Sequence, residues 1–271
     1  MAAVVLAAAV VATGLTGFAA AAPPVAAATG RWAGQAAVDR LGARLPAVAQ
    51  LHGMTAADLR TELLRDRSLF VDATDRLLYV DPPQPATVGQ DAVYDPSIPE
   101  GEVFTLQSKP GASRVVFLDF DGHTISGTAW NTNTGGPCYA EPFDVDGNPG
   151  TFSTAERGIV ADVWKRVAED YAPFDVNVTT QGPGYTAINR SSNRDTLFGT
   201  RALITRAVSP CPNGKTLYES ICPNGGCGGI SYVGVFDDTG NNHDFYQPAI
   251  VFQNGVGSYA KFVAEAVSHE V

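Results

Sequence analysis

Apolar runs of strand length alternate with amphipathic helical patterns along residues 103–271, and this alternation is what most narrows the fold open to the chain. Residues 114–120 (Arg-Val-Val-Phe-Leu-Asp-Phe), 174–180, 202–208, 229–236 and 248–252 each read as a strand. Short runs rich in β-branched and aromatic residues suit a sheet covered on both faces. Between the first two runs, Ser153 followed three residues later by Glu156 makes a capping box that starts a helix. Ile159, Val160, Val163, Trp164 and Val167 share one face of that helix, and Pro173 ends it. Tyr259, Phe262, Val263, Ala266 and Val267 form a second buried stripe that runs to the last residue without a capping Gly, Asn or Pro. Together these elements predict an α/β domain, a mixed β-sheet with a long helix and a terminal helix packed against it.

A smaller unit precedes this domain. Residues 36–50 carry Val38, Leu41, Leu45 and Val48 at helical spacing, Thr55 and Asp58 form a second capping box, and residues 70–72 and 77–80 suit a hairpin. Residues 29–80 therefore read as a small α+β module. Residues 81–102, with Pro82, Pro83, Pro85, Pro96 and Pro99, read as an extended linker. Residues 1–28 hold no charged side chain and resemble a signal peptide, with a membrane anchor as the rival reading of their apolar run; the leader reading implies a secreted, extracellular protein with no stable membrane span once it is removed.

The net charge of −10 and pI near 4.7 exclude electrostatic nucleic-acid binding. Cys138, Cys211, Cys222 and Cys227 lack a C-x-x-C pair, so in an oxidising compartment they are expected as two disulfides instead of a zinc site. Three pairings are open.

His269-Glu270 carries the chemistry. A helical His followed by Glu opens H-E-x-x-H, in which two imidazoles one turn apart hold zinc and the Glu takes a proton from the metal-bound water. The run from Tyr259 to Val271 resembles the active-site helix of metzincin zinc metalloproteases, particularly the secreted bacterial reprolysin-like group. Residues 116–124 are similar to that group's first strand, and Tyr171-Ala172-Pro173-Phe174-Asp175-Val176 to its helix–strand connection. Gly229-Ile230-Ser231-Tyr232-Val233-Gly234 looks like its edge strand above the cleft.

The resemblance implies a zinc-dependent endopeptidase acting on protein or peptide substrates, with His269 as first zinc ligand and Glu270 as general base. It further implies that Gly229, Ile230 and Ser231 bind the substrate backbone by β-augmentation, and that residues 29–80 are a propeptide. The family's second His, its Gly, its third ligand and its Met-turn would lie beyond Val271. The expectation is thus a fragment whose C-terminal subdomain is missing and which is inactive alone. No Cys precedes Cys138, so a cysteine cannot cap the zinc. Latency would rest on occlusion or on another ligand such as His52 or an Asp. The oligomeric state is not legible.

Competing motifs are weaker. Asp119-Phe120-Asp121-Gly122-His123 resembles a haloacid-dehalogenase phosphohydrolase strand end, but no later Lys and paired-Asp set completes it. Asp144-Val145-Asp146-Gly147-Asn148 resembles a calcium loop, yet Pro149 stands at the glycine position and Glu156 falls one place late, so a turn leading to Ser153 is expected, with calcium as a secondary option. Gly182-Pro183-Gly184 lacks the amide a phosphate loop needs, and no G-x-S-x-G elbow occurs. His123 and His243 are expected as loop or packing residues, and His52 as a turn residue. The non-enzymatic alternative is a secreted binding module that keeps a protease-like sheet without the metal.

Overall fold

The computed structural model describes residues 30–84, 97–222 and 226–271. The leader at 1–28 and most of the proline-rich stretch lie outside these residues. The strands are β1 (Trp32–Ala33), β2 (Leu69–Val71), β3 (Leu77–Val80), β4 (Arg114–Asp119), β5 (His123–Ile125), β6 (Cys138–Ala140), β7 (Val176–Thr179), β8 (Phe198–Thr205), β9 (Gly229–Tyr232) and β10 (Ala249–Phe252). All but β5 and β6 join one sheet in the order β1-β2-β3-β9-β10-β8-β4-β7. From β10 to β7 the strands are parallel, and from β9 to β1 each is antiparallel to its neighbour. The chain is therefore a mixed α/β structure. β5 and β6 form a separate hairpin.

Two layers cover the sheet because side chains of a strand alternate between its faces. Val116 and Leu118 of β4, Ala202 and Ile204 of β8 and Val251 of β10 meet the long helix Thr154–Asp170 and the terminal helix Ala260–Glu270 in one core. On the opposite face Leu203, Ile230, Ile250 and Phe252 pack with Trp130 and the disulfide-bonded loops. Trp130 is fully buried, and its indole N–H donates to the Pro248 carbonyl at 3.1 Å. Cys138 pairs with Cys211 and Cys222 with Cys227, which resolves the three open pairings.

Both capping boxes form, Thr55 with Asp58 and Ser153 with Glu156. Beyond shifts of one or two residues at other strand ends, three boundaries depart from the sequence reading for a clear physical reason. Residues 36–50 are two helices, Gly34–Leu41 and Leu45–Leu51, because Gly42 sits at φ +50° and Pro46 brings no amide donor at the start of the second. β8 begins at Phe198, ahead of the predicted 202, because Gly199, Thr200 and Arg201 pair with β4 without an apolar signature. β9 stops at Tyr232, where the chain turns through Val233 and Gly234.

The N-terminal unit is not a separate bead. Its strands β1–β3 extend the main sheet, and β3 lies antiparallel on β9 with Leu78 opposite Tyr232, Tyr79 opposite Ser231 and Val80 opposite Ile230. Arg31 donates to the Ile221 carbonyl and lies over the Trp130 ring, while the Tyr232 hydroxyl donates to Asp72 at 3.2 Å. Among the described residues no helix is long and apolar enough to cross a membrane.

Candidate functional site

The terminal helix delivers His269 and Glu270 to β9, which lies between β3 and β10 and is therefore an interior strand, not the edge strand expected from the sequence. Val263, Ala266 and Val267 are buried in the core, which fixes the rotation of the helix and turns Glu270 inward. Glu270 is 5 % exposed, and neither carboxylate oxygen has a hydrogen-bond partner. Burial, followed by the negative charge of Asp81, holds its pKa well above the usual carboxylate range. The Ser231 hydroxyl and the Asp81 N–H, close to the carboxyl but short of hydrogen-bond geometry, offset this only in part. A buried carboxyl without a partner is costly, and such groups concentrate where chemistry needs them.

Gly229 shows how tightly β9 is fitted to this group. A Cβ at Gly229 would come within 2.7 Å of Glu270 Cγ and Oε1, so only glycine lets the strand and the carboxyl approach so closely. Ser231 and Ile230 follow on the same strand. Ser231 lines a cavity of about 160 Å³ with Tyr79, Tyr232, Val235, His269 and Glu270. The Ile230 side chain points to the opposite face, into the core beside Trp130. The structure thus brings His269, Glu270, Gly229 and Ser231 together.

His269 is half-exposed and oriented by two groups that the sequence reading did not assign. Its Nε2 lies 3.3 Å from Asp81 Oδ1, and its ring meets Tyr79 edge-on at 5.2 Å between centroids. The Asp81 pKa is raised by burial and opposed by His269. The signal for these two partners was the alternation Leu78-Tyr79-Val80-Asp81. One face of that strand is apolar and buried, and the other presents an aromatic ring and a carboxylate. Asp81, placed at the start of a linker on its proline content, in fact continues the pairing of β3, its N–H donating to the Gly229 carbonyl at 3.0 Å.

As a metal site, the donor set present is one imidazole and one adjacent carboxylate oxygen, both chemically suited to zinc. Among the described residues no group of three His, Cys, Asp or Glu forms around His269. The cluster that does form is Asp144, Asp146 and Glu156, with ligand oxygens within 4.8 Å of one another. Its carboxylates are already engaged. Asp144 pairs with Arg206 and accepts the Gly147 and Asn148 amides, and Glu156 accepts from Val145 and from the Ser153 cap. The loop is built to hold the helix start.

The remaining motif residues fall elsewhere. Asp119 is ion-paired with Arg201 and its side chain has no solvent access. Burial together with its Asp121 neighbour raises its pKa to about 7 despite the guanidinium. His123 and Arg201 line a cavity of about 690 Å³ on the sheet face opposite the terminal helix. His243 is fully buried, with its Nδ1 at the Val235 carbonyl and Nε2 near the Ile188 carbonyl and Gln247. His52 closes the helix Leu45–Leu51 and lines a different cleft with Arg76 and Asp238.

Comparison with known proteins finds no matching family model, no similar curated protein and no similar solved structure. The local geometry of the terminal helix and β9 carries the functional reading.

Proposed function

We propose that the chain is the precursor part of a secreted zinc-dependent endopeptidase, with His269 as a metal ligand, Glu270 as general base and β9 as the strand that aligns the substrate backbone. The observation that carries this reading is the buried Glu270 carboxyl, one residue from a solvent-reaching His, without a hydrogen-bond partner and pressed against a glycine of β9. When bound, zinc lowers the pKa of its water to about 7 and polarises the scissile carbonyl. Glu270, adjoining His269 at the cavity beside Ser231, would in its ionised form accept the water proton and pass it to the leaving amine. Gly229 and Ser231 lie on the side of β9 that pairs with β3, so an extended peptide would align there only in place of β3. The two disulfides fit an oxidising compartment and support secretion.

This reading needs further metal ligands from sequence after Val271. Reading the coding frame onward is expected to show a His four residues after His269, then a Gly and a third His or Asp. A stop codon or an unrelated sequence there overturns the peptidase reading and favours a binding module that retains the sheet.

A further inference from the structure

We propose that the cavity on the sheet face opposite the terminal helix binds a small zwitterion of the amino-acid or short-peptide class. Its carboxylate would lie on Arg201, its ammonium on Asp244 and its apolar side chain along Phe117 and Ile188. The site shares no residue with the His269–Glu270 cavity, so it stands or falls independently of the peptidase reading.

The cavity, of about 690 Å³, is of the size that small-molecule sites take. Among the described residues its charged lining is one cation, Arg201, and one anion, Asp244. His123 adds no charge at neutral pH, because burial and the nearby Arg201 lower its pKa to about 4. Walls that carry both signs favour a ligand carrying both over one carrying either alone. A phosphate ester, the ligand suggested by the motif at Asp119, would find no second cation here and would set its charge against Asp244.

Arg201 is held in place before any ligand arrives. Its Nη1 pairs with the buried Asp119, and its guanidinium carbon lies 5.2 Å from the centre of the Phe117 ring. Its Nε and Nη2 have no hydrogen-bond partner among the described residues, which leaves donors of the rigid fork that matches a carboxylate. Asp119 offsets this positive charge only in part, since burial and Asp121 raise its own pKa to about 7.

Asp244 is positioned in the same way. Its Oδ2 accepts the Tyr185 hydroxyl at 2.6 Å, while its Oδ1 has no partner among the described residues. Gln247, three residues on, ties the two charged groups together, because its Oε1 accepts the Arg201 backbone N–H at 3.2 Å. The Thr128 hydroxyl lines the same cavity, buried and without a partner, an orphan that a bound polar group would satisfy. Phe117 and Ile188, 6 % and 9 % exposed, pack on each other and supply the apolar wall.

Isothermal titration calorimetry of the full chain with L-phenylalanine and with L-phenylalanyl-L-phenylalanine tests the assignment. At least one is expected to bind saturably at millimolar concentration, and the tighter of the two tells a free amino acid from a peptide as the ligand. The analogues 3-phenylpropanoate, which lacks the ammonium, and phenethylamine, which lacks the carboxylate, are each expected to bind about tenfold more weakly. Asp244→Asn keeps an oxygen for the Tyr185 hydroxyl, so its melting curve should match that of wild type while its affinity for the zwitterion falls about tenfold. Failure of both zwitterions to bind, equal binding of the singly charged analogues, or an unchanged affinity in Asp244→Asn overturns the proposal.

Discussion

At the residue scale, Glu270 dominates. In the metal-free chain its carboxyl sits buried without a partner, so ionising it works against the fold. Because its folded-state pKa is raised, the native state holds a proton that the unfolded chain has lost, and stability falls as pH rises above the ordinary Glu range. Glu270→Gln removes that penalty. Its melting temperature at pH 7–8, followed by circular dichroism, is expected to equal or exceed that of wild type, and a clear drop would contradict the placement. Asp119 and His123 give a matched pair of opposite sign. Asp119, raised to about 7, makes stability fall with pH between about 4 and 7, whereas His123, lowered to about 4 by burial and Arg201, makes it rise between about 4 and 6.5. Urea unfolding across this range should show the wild-type margin over Asp119→Asn shrinking with pH and that over His123→Gln growing. The placement of His269 and Glu270 together at the end of a buried helix was legible because they form a dipeptide on a patterned helix. Asp81 was not, because its partner is far away in sequence and its own neighbours are prolines.

At the element scale, the long helix and the loop before it depend on the Ser153–Glu156 box. Glu156 also accepts the Val145 amide at 2.8 Å, so the cap ties the acidic loop to the helix. Ser153→Ala is expected to cost about 1 kcal/mol in chemical denaturation. The capping boxes and apolar stripes were readable because local pattern sets them. The start of β8 was not, since Phe198-Gly199-Thr200-Arg201 gains its strand character from β4 alongside it. The break at Gly42 likewise follows from one backbone angle that hydrophobic spacing does not report. Cysteine pairing had to wait for the fold, because only the β5–β6 hairpin and the loop at Cys211 bring those two residues to a Cα separation of 5.0 Å. The Cys138–Cys211 bridge closes a span of 73 residues, which loop-closure entropy values at about 4 kcal/mol. Removing it with paired Ser substitutions should lower stability by about 2–5 kcal/mol, while the short Cys222–Cys227 bridge should cost less.

For the whole molecule, the consequential feature is one sheet shared by the N-terminal unit and the main domain. Sequence suggested two bodies joined by a proline-rich stretch, because the change of composition at Asp81 is plain and strand pairing across it is not. The hydrophobic face of Leu78 and Val80 completes the core around Trp130, so the same contact that stabilises the fold also lays residues 77–81 across the His269–Glu270 site. The most direct test of the account is metal-dependent peptide hydrolysis by the protein expressed from the complete reading frame. The account predicts cleavage of an unstructured protein substrate that a chelator abolishes and added zinc restores, reduced about 10²- to 10⁴-fold by Glu270→Gln. Hydrolysis that survives both the chelator and Glu270→Gln, or none at all from folded, zinc-loaded protein, would contradict it.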